Sequence, residues 1–529
     1  MEITGLNFIG NDLSGEGDEI FPAINPANGT KLLPGFHDAV LQEIDKAAFK
    51  AHNAFHTYSK KNGKEKAVFL EIIAQEILSL GDILIERCHE ETGLPKTRVV
   101  SERGRTVNQL KLFAELLRDG SWVEARIDTA IPERQPVPKP DIRSMYKPLG
   151  PAGIFGASNF PLAFSVAGGD TASALAAGCT VIFKAHPSHP GTCELTASAI
   201  INAVKKSGMP DGTFSMVHGQ SNNPGMAIVK HPLIKAIGFT GSFKGGKAIF
   251  DAAAKRVEPI PVYAEMGSTN PVFILPGALK ERKGEIAKGL TDSVILGTGQ
   301  FCTNPGLVFY EDSEDSFKFL NAAAENIKNS SAGVMLSSGI QASYRDGIKN
   351  ILNQKGIELI AEGKSSGINC EGISCLLGTT ADVFLSDDLF EEEIFGPSTL
   401  AVKTRNKAQL LEAAQSLSGH LTATIHASHE DLIDYKDLIE VLEGKAGRLI
   451  INGYPTGVEV CHSMMHGGPF PATTDSRSTS VGTLAINRFV RPVCFQNFSD
   501  ELLPHELKNG NPLKIWRLVN GERTRDKVS

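Results

Sequence analysis

The feature that most constrains the fold is a regular alternation of short strand-like runs and helix-like stretches between Gly150 and Glu265. The strand-like runs are rich in β-branched and aromatic residues, and the stretches between them are about 12 to 18 residues long. This alternation predicts parallel βαβ units, because parallel neighbours need a long crossover that is usually a helix. The strands are predicted at 153–157, 180–184, 214–217, 236–239 and 262–265. Ligands of such sheets bind at the carboxyl ends of the strands, which is where a nucleotide would lie.

The region before this alternation is predicted to be mostly helical. Leucine and isoleucine recur at helical spacing in the stretch 65–92, which stops at the breaker Gly93, and an earlier helix is predicted at 38–58. A proline-rich polar stretch, 131–140, then interrupts the helices, and a strand-like segment follows at 142–146. We therefore place an excursion or a domain boundary there.

The second half of the chain repeats the alternating pattern. From about residue 287 to 450 it predicts another α/β region, and after Arg477 the chain returns to short strands at 484–487 and 492–495. The fold class is therefore predicted to be α/β.

Net charge, apolar runs and cysteine spacing limit the classes of partner that we expect for this protein. The 529 residues carry a net charge of −7 without a long basic run, so nothing favours nucleic acid or an anionic membrane. No secretory signal is seen, and the apolar runs are broken before the 18 or so residues that a membrane span needs. The eight cysteines form no CxxC pair or zinc-type cluster. We expect a soluble cytoplasmic protein with a small-molecule partner and no metal, membrane or nucleic acid.

A glycine-rich turn is the first candidate binding motif. The segment GFTGSFKGG at 238–246 ends a strand, turns and opens a helix. Its glycines would let the backbone approach a ligand closely, and the helix N-terminus favours a pyrophosphate. Taken alone, such a turn is more often only a turn.

Two residues are candidates for chemistry. Cys302 lies in GTGQFCTNPG, where glycine and asparagine neighbours leave a thiol approachable, although a free cysteine is more often a small buried filler. Glu265 ends a strand in YAEMG and would project from the carboxyl edge of the sheet. A carboxylate there can act as a general base for water, or it can be an ion-paired structural group.

His462 and His466 have the i, i+4 spacing that some helical metal sites use. The residues between them lack the glutamate of the zinc-protease pattern, and the Gly-Gly-Pro that follows at 467–469 would end a helix at once. We interpret both histidines as structural or cleft-lining.

Taken together in chain order, these segments resemble the aldehyde dehydrogenase superfamily. The matching blocks are ETGLP at Glu91, FGASNFPLAF at Phe155, VIFK at Val181, GFTGS at Gly238, YAEMGSTNP at Tyr263, GQFCTNPG at Gly299 and EEIFGP at Glu392. The resemblance implies a Rossmann-type cofactor domain (1–130 and 149–266), an α/β catalytic domain (267–483) and a small β oligomerisation flap with the C-terminal tail (131–148 and 484–529). It also implies a homodimer or homotetramer.

The same resemblance implies the chemistry and the residues that carry it. Cys302 would be the nucleophile that forms a thioester, Asn159 the amide beside the oxyanion, and Glu265 the base that releases the acid. Phe160 would contact the aldehyde. The cofactor-binding residues would be Phe155, Lys184, Gly241, Ser242, Gly246, Glu393 and Phe395.

The sequence departs from the common family pattern near Lys184. Members that prefer NAD+ have a glutamate three residues later, whereas this chain has Pro187, which removes a repulsion against a 2′-phosphate. The loop 221–223 offers no cation, so Lys184 would act with His186 or His189. We expect NADP+ as the cofactor, with NAD+ as the alternative.

The C-terminal block NGYPTGVEVCHSMMHGGPFP, which starts at Asn452, also departs from the family pattern. It resembles the members that oxidise 2,5-dioxopentanoate to 2-oxoglutarate. An acid substrate needs a cation in its tunnel, and Arg105, on a helix from about 103 to 117, is the predicted anchor. Arg103 is its rival, and a surface arginine is the alternative.

Three alternative functions differ from this one in the residues that they need. A broad-specificity or fatty-aldehyde dehydrogenase would have a long apolar tunnel without Arg105 at its end. A dehydrogenase that passes its acyl group to coenzyme A would not need Glu265 as a base for water. A catalytically silent protein on the same scaffold would not need Cys302, Glu265, Asn159 and Lys184 together.

Overall fold

The computed structural model describes residues 2–528, and in this range the strands form two seven-stranded sheets, one five-stranded sheet and two small hairpin-like sheets. The strands are β1 (Asn7–Ile9), β2 (Asp12–Ser14), β3 (Ile20–Ile24), β4 (Lys31–His37), β5 (Arg126–Asp128), β6 (Ile142–Pro148), β7 (Ala152–Phe155), β8 (Val181–Lys184), β9 (Phe214–Val217), β10 (Ala236–Thr240), β11 (Val262–Glu265), β12 (Val272–Ile274), β13 (Leu307–Glu311), β14 (Gly333–Val334), β15 (Glu358–Glu362), β16 (Glu371–Gly372), β17 (Cys375–Thr380), β18 (Ser398–Thr404), β19 (His420–His426), β20 (Ala446–Ile451), β21 (Val490–Gln496), β22 (Arg517–Val519) and β23 (Glu522–Thr524).

The helices lie between these strands. They are α1 (Leu41–Tyr58), α2 (Gly63–Ser79), α3 (Gly81–Thr92), α4 (Lys96–Asp119), α5 (Gly169–Ala177), α6 (Pro190–Ser207), α7 (Asn223–Lys230), α8 (Phe243–Ala254), α9 (Pro276–Ile295), α10 (Glu314–Asn329), α11 (Ser338–Leu352), α12 (Ala381–Phe384), α13 (Lys407–Ser416), α14 (His429–Asp434) and α15 (Lys436–Glu443). Short 3-10 helices occur at Ser121–Val123, Leu296–Gly299, Asp388–Glu391, Thr483–Phe489, Asp500–Leu502 and His505–Leu507. Within the described residues, no helix has the length and hydropathy needed to cross a membrane.

The first large sheet has the order β11-β10-β7-β8-β9-β1-β2. Strands β7 to β11 are the five predicted ones, and they pair in parallel. Consecutive residues in β8 point to opposite faces: Phe183 enters one core with α2 and α6, and Ile182 enters the other with α1. Because both faces are buried, β8 reads as a continuous apolar run that ends at Lys184.

The opening region is mostly helical, as predicted, with α1 to α4 following one another, but it also contains strands that were not predicted. It begins with four short strands, and β1 joins the sheet edge by antiparallel pairing with β9. These strands are only three to seven residues long and carry weak alternation, so local pattern did not identify them. The predicted helix 65–92 is two helices, α2 and α3, separated where Gly81 has a positive φ of 57°. The second ends, as predicted, at Gly93.

The second large sheet has the order β15-β17-β18-β13-β12-β19-β20, and only the edge strand β15 is antiparallel to its neighbour among the described strands. The third sheet, β21-β6-β5-β22-β23, joins the tail to the segment before the first sheet. The predicted strand at 484–487 is wrong, because those residues belong to a 3-10 helix packed against α5. The predicted strand at 492–495 lies within β21.

A buried ion pair ties this 3-10 helix to the first sheet. Arg488 Nη1 donates to Asp170 Oδ1 of α5 at 2.9 Å, and the two residues are 1% and 8% exposed. Replacing Asp170 with alanine is expected to lower the free energy of unfolding by about 3 to 5 kcal/mol, because Arg488 would keep its charge without a partner. Denaturant titration measures this change. Adding Arg488→Met should restore much of the stability, and a loss below about 1 kcal/mol in the single variant would contradict the argument.

Candidate active site

Cys302 and Glu265 meet at the carboxyl end of the first sheet. Glu265 is the last residue of β11, and Cys302 follows the 3-10 helix Leu296–Gly299 that continues from α9. The sulfur of Cys302, a carboxylate oxygen of Glu265 and a ring nitrogen of His466 all lie within 4.8 Å of one another. A thiol, a carboxylate and an imidazole at this separation can exchange protons.

The contact of His466 with the thiol is the main site feature that the sequence did not reveal. Its Nε2 lies 3.4 Å from the sulfur of Cys302 and 2.9 Å from Oε1 of Glu265. No helix forms here, and His462 instead lies 3.3 Å from the hydroxyl of Thr483. The i, i+4 spacing of the two histidines therefore does not place them on one face of a helix. The departure of this block from the family pattern was the only available signal.

A segment near the C-terminus forms one wall of the site. Thr473 makes an antiparallel bridge with Glu265, and the backbone N–H of Met266 donates to the carbonyl of Ala472 at 2.8 Å. The hydroxyl of Ser480 donates to Oε2 of Glu265. The carboxylate is thus fixed by residues some two hundred positions later in the chain.

The electrostatics favour an ionised Glu265. Burial favours the neutral form of this carboxyl, but His466, Ser480 and Arg488 outweigh burial, so the pKa of Glu265 lies below its usual value. A carboxylate that is ionised near neutral pH can accept a proton.

The surroundings of Cys302, in contrast, favour the neutral form of its side chain. Burial and the charges of Glu265 and Glu393 raise the pKa of the Cys302 thiol well above its usual value, and Arg105 opposes them. The resting thiol is therefore protonated and needs a base before it can attack. Nε2 of His466, 3.4 Å from the sulfur, can take that proton when its ring is neutral, and Glu265, 2.9 Å from the same nitrogen, then stabilises the imidazolium that forms.

Asn159 lies beside the nucleophile loop. In the turn after β7, its side-chain amide donates to the carbonyl of Gln300 at 3.0 Å. On the other side of the loop, the amide of Asn270 donates to the carbonyls of Cys302 and Asn304 at 2.8 and 2.9 Å. Asn270 was not among the predicted site residues, although it lies in the matching block at Tyr263. It fixes the backbone that carries the sulfur.

Helix α4 supports the loop that contains Asn159. Arg98 Nη2 donates to the carbonyl of Asn159 at 3.0 Å. One turn later, Oε1 of Glu102 accepts the backbone N–H groups of Leu162 and Ala163 at 2.9 and 3.0 Å. Sequence reasoning missed both charged residues; their i, i+4 spacing on a partly apolar helix was the available signal.

Arg105 extends this helix face toward the site. Its guanidinium carbon lies 5.6 and 5.2 Å from the rings of Phe160 and Phe164. Its Nε and Nη2 are buried without a hydrogen-bond partner among the described residues. The rival Arg103 points elsewhere and donates to the carbonyl of Gly81 at 3.1 Å. Buried donors without partners beside aromatic rings can bind an anion.

Lys184 stands at the end of β8. Its ammonium donates to the carbonyls of Ala185 and Gly219 at 2.8 and 2.5 Å. Burial lowers the pKa of Lys184 to about 8. Pro187 follows in a partly buried turn. A buried cation held only by carbonyls is suited to a polar or anionic ligand.

The two histidines near Lys184 are not equivalent. His189 is fully buried, and its Nε2 and Nδ1 contact the Ala157 carbonyl at 3.0 Å and the Cys193 sulfur at 3.3 Å. His186 stacks on it at 5.3 Å and is only partly buried. His186 is therefore the better placed of the two to reach a ligand.

The glycine-rich turn starts α8 at Phe243, as its motif predicts. Ser242 caps the helix by accepting the N–H of Gly245 at 3.2 Å. The backbone of Gly246 passes so close to Met266 that an added Cβ would lie 2.6 Å from that side chain. The N–H of Gly241 donates to the carbonyl of Glu265 at 3.1 Å, which joins this turn to the end of β11. The cradle has the form that a pyrophosphate needs.

The other side of this cleft carries Glu393 and Phe395, which line one pocket with Ser268. Burial raises the pKa of Glu393 to about 8. Phe155 lies at the end of β7, with its ring 6.2 Å from that of Phe239. Together with the cradle, these residues have the donors, acceptors and apolar faces that a dinucleotide requires.

The chain is similar to known proteins over nearly its full length. A model of the aldehyde dehydrogenase family matches residues 13–471. The chain is 48% identical over 523 residues to α-ketoglutaric semialdehyde dehydrogenase 2 of Azospirillum brasilense, covering 99% of this chain and 100% of that protein. It is also 48% identical over 509 residues to α-ketoglutaric semialdehyde dehydrogenase of Acinetobacter baylyi, covering 96% of each chain.

The fold is also similar to solved structures. The crystal structure of the aldehyde dehydrogenase KauB from Pseudomonas aeruginosa superposes with a TM-score of 0.80 at 20% identity, covering 94% of this chain and 97% of that chain. At this identity the likeness concerns the fold alone.

Proposed function

Because this chain belongs to the aldehyde dehydrogenase family, we propose that it oxidises 2,5-dioxopentanoate to 2-oxoglutarate with NADP+. The family supports oxidation of an aldehyde to a carboxylate with NAD(P)+, and the two relatives at 48% identity support the substrate. The single structural observation that supports this substrate is Arg105, because its Nε and Nη2 are buried without a partner among the described residues and its charge interacts with the Cys302 thiol.

The proposed mechanism uses four side chains. His466 takes the proton of the Cys302 thiol, and the sulfur adds to the aldehyde carbon to form a thiohemiacetal. The Asn159 amide and the backbone N–H of Cys302 stabilise the oxygen as it becomes negative. A bound nicotinamide supplies the hydride acceptor. Cys302 then carries a thioester, Glu265 removes a proton from water, and the resulting hydroxide releases the acid and restores the thiol.

The Arg105→Met variant tests whether Arg105 binds the carboxylate of the substrate. The variant keeps the apolar stem against Phe160 and Phe164 but removes the charge. For 2,5-dioxopentanoate, kcat/KM is expected to fall by roughly 10- to 100-fold, because a charge-assisted hydrogen bond contributes about 1.5 to 3 kcal/mol. For pentanal, which lacks the carboxylate, it should stay within about twofold.

Arg103→Met is the matched control and should leave both substrates unaffected. An equal loss for both aldehydes in Arg105→Met would make Arg105 a structural residue. A wild-type preference for a long-chain aldehyde over 2,5-dioxopentanoate would instead favour the fatty-aldehyde function.

The cofactor preference rests on Lys184 and on the neutral Pro187. Because burial lowers the pKa of Lys184 to about 8, its charge is present at pH 7 and is lost as the pH rises through 8. We expect the Kd for NADP+ to increase several-fold more than that for NAD+ between about pH 7 and pH 9. Cofactor titration by fluorescence measures both, and Lys184→Gln should remove the difference. If the Kd values for NADP+ and NAD+ change equally between pH 7 and pH 9, Lys184 is not the ligand of the 2′-phosphate.

We further propose a cytoplasmic homodimer or homotetramer. The β21 strand is at the edge of its sheet, and apolar side chains of this region such as Leu502 and Trp516 are exposed. An unpaired edge beside apolar surface favours pairing with another subunit. Sedimentation of the purified protein decides between monomer, dimer and tetramer.

A further inference from the structure

The side chains at the centre of the site also meet the requirements of a zinc ligand set. Cys302 offers sulfur, His466 a ring nitrogen and Glu265 a carboxylate oxygen, and these atoms lie within 4.8 Å of one another. Zinc binds these three ligand types, and three protein ligands with one open position are typical of its non-structural sites. No other cluster of this kind occurs among residues 2–528.

Two of the three ligand separations are near those of tetrahedral coordination, and the third, between the sulfur and Oε1, is within 4.8 Å. With Zn–S near 2.3 Å and Zn–N or Zn–O near 2.0 to 2.1 Å, neighbouring ligands of a tetrahedral ion are roughly 3.3 to 3.6 Å apart. In the structure the sulfur and Nε2 are 3.4 Å apart, and Nε2 and Oε1 are 2.9 Å apart. Side-chain shifts of a few tenths of an ångström would lengthen the distance between Nε2 and Oε1 to this range.

A second observation points to a ligand at this place. Oε1 of Glu265 is buried and has no hydrogen-bond partner among the described residues, although Nε2 of His466 lies 2.9 Å away. The contact with His466 is an ion pair, and it leaves the other lone pairs of this buried oxygen open. A buried carboxylate oxygen without a partner is costly, and a cation between Oε1, Nε2 and the sulfur would satisfy it.

We propose that the enzyme free of aldehyde and cofactor binds one Zn2+ ion through Cys302 Sγ, His466 Nε2 and Glu265 Oε1, and that this ion reversibly inhibits it. The thiol loses its proton to solvent as the sulfur–zinc bond forms, and no electron transfer is involved. The ion occupies the nucleophile and both proton acceptors at once, so the aldehyde is excluded. Nδ1 of His466 is buried without a partner in the described chain, and a missing outer hydrogen bond weakens such sites by about 10- to 100-fold.

Direct zinc binding tests this proposal. Metal-free enzyme, without aldehyde or cofactor, competes with a colorimetric zinc indicator for ZnCl2. We expect one reversibly bound ion per chain, and binding weaker by about tenfold or more in His466→Gln and in Cys302→Ala. His462→Gln is the matched control and should bind as the wild type does.

Alkylation gives an independent readout. Zn2+ should slow the reaction of iodoacetamide with Cys302, measured by peptide mass, in the wild type and in His462→Gln but not in His466→Gln. Melting temperature and NADP+ binding confirm that each variant is folded. Undiminished zinc binding in His466→Gln, or no competition with the indicator in the wild type, would overturn the proposal. Neither result depends on which aldehyde is the substrate.

Discussion

Replacing Glu265 with glutamine is expected to allow one round of oxidation and then to stop the enzyme. Cys302 and Asn159 remain, so the thioester still forms and reduced cofactor appears in a rapid burst. Steady-state turnover should fall by about 10²- to 10⁴-fold, because the amide cannot take a proton from water. The size of the burst should equal the number of active sites.

Rapid-mixing absorbance and intact mass separate the two phases of this reaction. The mass of the Glu265→Gln variant should increase by that of the acyl group after one turnover, and the adduct should map to Cys302. Ser480→Ala, which removes the hydroxyl contacts with the carboxylate and with the His466 carbonyl but keeps the base itself, should slow turnover far less. Normal steady-state turnover in Glu265→Gln would show that another group activates the water.

Replacing Cys302 with alanine is expected to remove oxidation altogether, including the burst. The reaction needs a covalent bond to this sulfur, and the methyl group of alanine cannot form it. Activity should drop to the level without enzyme, while cofactor binding remains, because Lys184, Ser242 and Gly246 lie on other elements. Cys494→Ala is a suitable control, since Cys494 is exposed on β21. Residual burst formation in Cys302→Ala would contradict the assignment of the nucleophile.

The parts of the fold that could be predicted are those governed by local pattern. Strands β7 to β11 carry buried apolar runs of four or five residues between well-formed helices, so composition and spacing identify them. Strands β1 to β4 are short and form two antiparallel pairs of chain neighbours, and β1 also pairs with the distant β9, so their own residues carry little strand pattern. The segment 484–487 contains apolar residues like a strand, but packing against α5 holds it as a 3-10 helix.

The residues of the candidate site also divide into those that the local sequence identifies and those that it does not. Cys302 and Glu265 lie in short blocks whose neighbours are informative, and the structure brings the two residues together. His466 and Arg98 act through contacts that cross the chain: His466 reaches Cys302, and Arg98 reaches Asn159. Sequence spacing carries no information on such contacts, because loop lengths between them are nearly free to vary. Arg105 could be proposed only because the resemblance placed its helix beside the substrate.

The bridge between Thr473 and Glu265 has a consequence for how the protein is made in the cell. Synthesis proceeds from the N-terminus, so Cys302 and Glu265 emerge from the ribosome well before His466, Thr473 and Ser480. Until that late segment docks, the thiol has no adjacent imidazole and the carboxylate is not yet oriented. We therefore expect the nascent chain to react poorly with aldehydes until this later segment has been synthesised and has docked.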